Sequence, residues 1–502
     1  MESNRIVCDP APERTSFRVE ARAEWLQFSF EFDRHESWIF MNVWDPEGRI
    51  RFSYLDVNRV GEVTVHRDPL RTSELAIPGD IPSGEWHIEF VRGKPKTLAL
   101  TWRTGSGALP AAAEGPPEGE WDVWSDGHAE HSAGGSDDGA YVLNRYDWTD
   151  SREGGRRWYR GDFHTHTALS DGEMTAGQLT GQAAVRGLDF FAITDHNIMP
   201  HRWPKSGVRV IPGIEITSFG KGDWNAIGLD RWPDWRHASR DGGIGTQEGM
   251  DRLMAEAGSR GALRSLNHPL TVPWAWMFAD TPLSELDALE IVNTPTDGAN
   301  TEKMLVVWSA AWNEGVRLTG LGGSDVHGAP KEGDADAPHG ERIGLPATYV
   351  EAEALSASAI VNAARAGRAY VSLGPVLEIE VAAGRRPLRL GGDTTEAVDE
   401  SDDGKVRVRL AVSGLDAGSV NIIENGGLQA SLPIEAPDQT FEIELDWRGE
   451  AYRWARLEIR DPAGALRAFT NPVFYGNREA GVRTWRQLLE RAGFEMPVNA
   501  RN

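Results

Sequence analysis

Two histidines one residue apart, with an acid five positions beyond the second, open the segment Gly161-Asp162-Phe163-His164-Thr165-His166-Thr167-Ala168-Leu169-Ser170-Asp171-Gly172. Imidazole nitrogen and carboxylate oxygen are the donors that Zn2+, Mn2+ and Fe2+ share. In an extended segment, side chains at i and i+2 point to the same side, so His164 and His166 can converge on one ion. A surface His-x-His pair is common, and this one gains its meaning from the rest of the chain.

Four further apolar runs carry the same donor chemistry. Thr194-Asp195-His196 follows the run Leu188-Asp189-Phe190-Phe191-Ala192-Ile193, and Glu215 sits in Ile211-Pro212-Gly213-Ile214-Glu215-Ile216. His268 comes in Ser265-Leu266-Asn267-His268-Pro269, and Ser324-Asp325-Val326-His327 closes Leu318-Thr319-Gly320-Leu321-Gly322-Gly323. Helix-like segments at residues 174–187, 247–257 and 356–366 alternate with these runs, the first ending at Gly187, a natural stop. An α/β barrel of parallel strands gathers such residues at the C-terminal ends of its strands. Taken singly, each is a satisfied core histidine, an N-cap or a turn acid, but that reading leaves the recurrence at five strand ends to coincidence.

Together these motifs resemble the PHP (polymerase and histidinol phosphatase) domain, a metal-dependent phosphoesterase fold. The phrase Trp158-Tyr159-Arg160-Gly161-Asp162-Phe163-His164-Thr165-His166 with Ser170-Asp171-Gly172 resembles its first motif. Thr194-Asp195-His196, Asn267-His268-Pro269 and Ser324-Asp325-Val326-His327 resemble the next three. Within that family the chain is similar to the CehA/McbA-like metallohydrolases, which flank the domain with β-rich segments. The resemblance spans residues 157–375 and implies a distorted TIM-like (β/α)7 PHP barrel between N-terminal and C-terminal β-sandwich domains.

The resemblance also implies two or three divalent ions (Mn2+, Zn2+ or Fe2+). His164, His166, Glu215 and Asp325 would hold the first, Glu215 would bridge to a second held also by His268, and Asp171, His196 and His327 would hold the third. Closely spaced dications repel, so bridging acids must offset their charge, while neutral imidazoles leave openings for water and substrate. The implied activity is cleavage of a phosphate mono- or diester by a metal-bound hydroxide. Carbamate or carboxylic ester cleavage by the same cluster is the alternative. Asp195 is either a catalytic, proton-handling acid or a strand-end acid capping the next turn. At Asp223, in Gly222-Asp223-Trp224-Asn225, related sequences usually carry a histidine. Asp223 can ligate through oxygen, favouring a harder ion such as Mn2+, or it can leave that position weak, which makes a two-metal enzyme the second possibility.

Composition narrows the rest. At 502 residues the chain is long enough for several domains. It has no apolar run long enough to span a membrane, and Met1-Glu2-Ser3-Asn4-Arg5-Ile6-Val7-Cys8 has no apolar h-region, so a cytoplasmic location is expected. Cys8 is the single cysteine, which excludes thiolate clusters. A net charge of −24 argues against an extended nucleic-acid surface. It permits a small phosphoester or ester substrate, because a metal cluster brings its own local positive charge.

Alternation of Leu26, Phe28, Phe30 and Phe32 with polar residues, repeated at Leu98, Leu100 and Trp102, predicts an antiparallel sandwich over residues 15–104. Residues 105–156, rich in Gly, Ala, Pro and acids as far as about residue 139, read as a linker or long loop. His128 and His131 lie there at a spacing that fits a metal, but their polar surroundings predict exposure. Val406, Val408, Leu410 and Val412, then Phe441, Ile443 and Leu445, predict an immunoglobulin-like sandwich over residues 376–476, with a short helix at 481–493. Lys331 and Arg342 are candidate contacts for an anionic substrate, and Trp274, Trp276 and Phe278 a candidate apolar wall; solvation and loop packing are the plainer readings. An inactive scaffold would show lost ligands, yet eight of nine expected positions keep a standard donor.

Overall fold

In the computed structural model, residues 4–33, 38–58, 60–93, 95–109, 119–128, 140–233, 241–295, 297–329 and 342–499 are described. The N-terminal unit follows directly from period-two alternation: along Arg14–Val19 the side chains alternate exposed and buried, so every second residue faces a core. Its two four-stranded antiparallel sheets run Asn4–Cys8, Leu98–Gly105, Trp25–Phe32, Glu62–His66 and Arg14–Val19, Gly84–Arg92, Phe40–Trp44, Ile50–Leu55. Aromatic rings bind the two layers. Phe17 meets Phe28 at 5.5 Å and Trp102 at 5.0 Å, and Phe28 meets Phe52 at 5.1 Å. Asn4–Cys8 is an outer strand ahead of residue 15.

The centre departs from the parallel barrel expected of it. One sheet orders Arg209–Ile211, Phe190–Ala192, Gly154–Asp162, Ala347–Ala354 and Ala369–Ser372. A second orders Gly213–Ser218, Gly222–Ile227, Leu263–Leu266, Ala288–Val292 and Thr319–Gly322. Among the described residues the two ladders do not close into one barrel, and strand directions are mixed. Gly222–Ile227 runs antiparallel to both neighbours. The reason is connection length: residues 219–221 make only a tight turn, and a parallel crossover needs a dozen or more residues. The chain passes from one sheet to the other across Pro212. On the far side the sheets are tied by Thr348, whose hydroxyl accepts from Gly322 N at 3.1 Å and donates to Gly322 O at 2.7 Å. Single parallel bridges, Thr165 to Val326 and His196 to Glu215, stitch them at one end.

Four helices cover these sheets: Ala176–Val185, Gln247–Ser259, Gly298–Asn313 and Ala357–Arg365. Side-chain caps start three of them. Thr175 and Gln178 form a reciprocal capping box, while Thr246 and Ser356 accept from Gly249 N and Ala359 N.

The C-terminal strands are not a detached sandwich. Leu466–Thr470 pairs with Ala369–Ser372, so the first central sheet continues through Tyr452–Arg460, Gly418–Glu424 and Gly427–Ile434. The facing layer is Arg386–Leu388, Val376–Ala383, Lys405–Ser413 and Asp438–Asp446. Asn471 seals the seam, donating to Gly320 O and Ala369 O and accepting from Gly320 N at 2.7 Å. The terminal helix Trp485–Ala492 buries Trp485, Leu488 and Leu489 in the central core.

The described part of residues 105–156 is likewise more than a linker. Trp121–Val123 pairs with Arg202–Pro204, Trp124 stacks on Trp203 at 5.9 Å, and Tyr141 and Leu143 join the core. His128 is half-buried and bridged to Tyr141 rather than solvated. His131 lies outside the described residues.

Candidate metal centre

The strands bring their donors to the same edge of the two sheets. His164 and His166 follow Gly154–Asp162, His196 follows Phe190–Ala192, His268 follows Leu263–Leu266, and Asp325 and His327 follow Thr319–Gly322. Glu215 lies within Gly213–Ser218. Asp223 opens Gly222–Ile227, and because that strand is antiparallel its first residues stand opposite Thr217, at the same edge. Mixed topology therefore still yields convergence.

The loops are held by side chains that take up backbone groups. Asp162 accepts from His164 N at 3.1 Å, Ser324 N at 3.0 Å and Gly344 N at 2.7 Å, joining the first and last motifs. Gly323 lies so close that a Cβ there would stand 2.3 Å from His164 Cβ. His268 (φ 28°) and Asp325 (φ 50°) occupy left-handed backbone, which L side chains enter at a cost and which clusters at functional sites.

The nine expected donors fall into overlapping groups: His166, Asp171, His196 and His327; His164, His268 and Asp325; His164, His166 and Glu215; and Glu215, Asp223 and His268. Within each group the donor atoms lie within 4.8 Å of one another. Glu215 is central and buried. Its Oε1 lies 3.2 Å from His164 Nε2 and 3.7 Å from His268 Nε2, and its Oε2 lies 2.9 Å from His196 Nδ1 and 3.5 Å from His166 Nε2. Asp325 Oδ1 stands 3.2 Å from His164 Nε2 and 3.0 Å from His166 Nε2. Asp171 reaches His196 Nε2 at 3.5 Å and His327 Nε2 at 3.3 Å.

A divalent ion fits this donor set. Buried polar atoms are almost always hydrogen-bonded, yet His164 Nε2, both ring nitrogens of His166, Glu215 Oε2, Asp223 Oδ1 and His268 Nδ1 are buried without a hydrogen-bond partner. Without metal, the imidazoles take protons instead. Burial works against the charged form of His268 and His327, but facing carboxylates outweigh it and push both up to about 9. His164 and His196 are raised in the same way, whereas burial and the neighbouring His327 lower His166. Asp171, Glu215 and Asp325 are held low by these imidazoles in spite of burial. Asp223 goes the other way: burial, and then Glu215, push it up to about 7. Buried His, Asp and Glu clusters of this kind suit a multinuclear metal site.

Asp195 belongs to none of these groups. Its Oδ1 accepts from Thr167 N at 2.8 Å and Ser170 Oγ at 2.6 Å, and its Oδ2 from Thr167 Oγ1 at 2.8 Å. In this position it braces the loop that carries His166 and Asp171.

Glu290 escaped the sequence reading. It is buried in Ala288–Val292, with Oε1 2.9 Å from His164 Nδ1 and Oε2 accepting from His268 N at 2.9 Å and Asn293 Nδ2 at 3.1 Å. An acid in the middle of the run Ala288-Leu289-Glu290-Ile291-Val292 was the available signal. Asn267 and Thr217 play similar parts. Asn267 donates to Glu215 Oε1 at 2.7 Å, and the Thr217 hydroxyl lies 2.6 Å from His196 Nδ1.

The candidate substrate contacts fare unevenly. Trp276 and Phe278 are core residues, while Trp274 is 53% exposed on the loop after His268. Arg342 is half-buried just before Gly344, and Lys331 lies outside the described residues.

No protein-family profile and no curated protein matches this chain. Among solved structures, one similar chain is a two-domain protein from Bacteroides vulgatus containing a predicted PHP-like metal-dependent phosphoesterase. It is 17% identical, the match covers 65% of this chain and 97% of that one, and the TM-score is 0.35. Another is an amidohydrolase from Chromobacterium violaceum with bound sulfate, 13% identical over 33% of this chain and 87% of that one, with a TM-score of 0.23. With both TM-scores below 0.5, the functional reading rests on the side chains of this chain itself.

Proposed function

We propose that this chain is a metal-dependent hydrolase of the PHP kind, cleaving phosphate mono- or diesters of small molecules with water at a site of two or three divalent ions. The observation that supports it most is Glu215, a buried carboxylate with one oxygen toward His164 and His268 and the other toward His166 and His196. A lone ion does not call for a carboxylate shared between two sets of imidazoles. His164, His166, Glu215 and Asp325 would hold one ion, Glu215, His268 and Asp223 a second, and Asp171, His196 and His327 a third.

When bound, such ions lower the pKa of water and offset the charge that builds on phosphoryl oxygens. The chain itself prepares that chemistry. Glu290 and Thr217 fix the orientation of His164 and His196 through the ring nitrogen each imidazole turns away from the centre or shares with it. Asp195 holds the loop of His166 and Asp171 in place. His327, with 31% of its side chain exposed, marks the side open to water and substrate.

The test is a hydrolysis screen with added Mn2+, comparing p-nitrophenyl phosphate, bis-p-nitrophenyl phosphate, nucleotides and an aryl carbamate, together with metal analysis. Phosphoester turnover with two or more ions per chain is expected. Predominant carbamate turnover would reject the phosphoester assignment, and fewer than two ions would reject the multinuclear site.

A further inference from the structure

One flank of the centre is supplied by the N-terminal sandwich. The Trp38 ring lies 6.0 Å from the His196 ring and 6.1 Å from Phe219, and Phe40 packs on Phe219 at 5.4 Å. Phe219 belongs to the turn between Gly213–Ser218, which carries Glu215, and Gly222–Ile227, which carries Asp223. On that turn rests Arg92, the last residue of Gly84–Arg92, its guanidinium carbon 5.2 Å from the centre of the Phe219 ring. Its Nη1 also lies 3.5 Å from where a Cβ would stand on Gly220, an exposed residue.

Arg92 is half-buried, and among the described residues it makes no salt bridge and no side-chain hydrogen bond. That is unusual in a chain whose other arginines are so often paired with acids. A partly desolvated guanidinium with five donors and no acceptor is costly unless something completes it. Burial lowers its pKa, and Asp223 works against that by favouring the charged form.

We propose that Arg92, carried by the N-terminal sandwich, binds the non-bridging oxygens of the substrate's phosphate group and so completes the active site from a second structural unit. This rests on the phosphoester reading above. Guanidinium is matched to that role because its planar fork meets two phosphate oxygens at once. Its guanidinium lies over the Phe219 ring, and Trp38 stands beside both Phe219 and His196.

Inorganic phosphate is the probe. Calorimetry on the metal-loaded full-length chain should show Arg92→Gln binding phosphate about 10- to 100-fold more weakly than the parent, the range for a lost charge-assisted bond. kcat/KM for p-nitrophenyl phosphate should drop by a similar factor, and Arg92→Lys, which keeps the charge but not the fork, should fall between the two. Unchanged phosphate affinity in folded Arg92→Gln would overturn the assignment. A second measurement needs no variant: phosphate should protect Arg92 of the parent from hydroxyphenylglyoxal, read by mass spectrometry, and absence of protection would equally overturn it. Phosphoester turnover that is indifferent to Arg92 defeats this inference alone. Phosphate binding that depends on Arg92 in a chain without phosphoesterase activity defeats the proposed function alone.

Discussion

Glu290→Ala is the perturbation with the most to say about the centre, because it removes a residue that would touch no metal. In the structure one carboxylate serves two proposed ligands: Oε1 holds His164 Nδ1 at 2.9 Å, and Oε2 accepts from His268 N at 2.9 Å. Partners of this kind set the tautomer and orientation of the ligating ring, and their loss typically lowers metal affinity about 10- to 100-fold. Since both His164 and His268 lose their anchor, the expected loss lies toward the upper end, about 100-fold, or roughly 2.8 kcal/mol at about 1.4 kcal/mol per decade. Two buried donors are also left unsatisfied, at about 1–3 kcal/mol each, so the metal-free chain should melt earlier. Glu290→Gln separates the two effects. Its amide oxygen can still accept one of these bonds, so most stability should return while the loss of negative charge still weakens metal binding. The assay is Mn2+ titration against a competing chelator, with thermal melts and circular dichroism alongside. Parental Mn2+ affinity in a folded Glu290→Ala chain would refute the reasoning.

Three further outcomes are expected. Glu215→Gln should reduce hydrolysis to background and leave fewer than two ions per chain by elemental analysis, because the shared anion is what lets two cations sit close together. Gly323→Ala puts a methyl group 2.3 Å from His164 Cβ and 3.1 Å from Glu290 Oε1, so it should cost about 1–3 kcal/mol of stability by overpacking and weaken metal binding, read by melting and titration. In chelator-treated protein, His268 and His327 sit at about 9, above their unfolded value of about 6.5, and Asp223 at about 7, above its usual range. Groups raised on folding stabilise below their unfolded pKa and lose that contribution as pH rises through the folded one. Asp223 should therefore lose its contribution between about pH 4 and pH 7, and His268 and His327 should lower the metal-free melting temperature between about pH 6.5 and pH 9, while the metal-loaded protein, whose ligands are already deprotonated, should show a smaller fall. A metal-free chain that gains stability between about pH 6.5 and pH 9 would contradict the two histidine assignments.

The candidate ligands stand out in the sequence because most sit in short motifs: His164 and His166 two apart, His196 after Thr194-Asp195, Asp325 two before His327. The structure brings these motifs to one edge. Glu290 was not legible for the opposite reason, being a single acid in a strand whose partner His164 lies 126 residues away. Alternation of apolar runs and helices does not report strand direction: Gly222–Ile227 follows its predecessor after only a three-residue turn, and that brevity forces an antiparallel pair. The separate C-terminal sandwich was inferred from clean alternation along 406–412 and 441–445, which reports a half-buried strand but not the sheet it joins. The pairing of Tyr370, Val371 and Ser372 with Thr470, Phe469 and Ala468 makes the C-terminal strands extend a central sheet.

The N-terminal sandwich shares its core with the loops of the candidate centre. Its hydrophobic core is not made of its own residues alone: Leu169, from the loop between His166 and Asp171, and Ile198, two residues past His196, are both buried in it. His201 adds a polar tie, its Nε2 2.9 Å from Pro69 O, and the Arg202 side chain reaches Leu70 O at 2.7 Å. The loops that present Asp171 and His196 are thus wedged between two cores, so their geometry depends on the sandwich being folded and docked. A domain that served only to bind a partner would have no need to bury side chains next to proposed metal ligands, nor to place Trp38 against His196. The sandwich is thus a structural part of the candidate centre, holding the Asp171, His196 and His327 group from outside while the two central sheets hold the His164, His268 and Asp325 group from beneath.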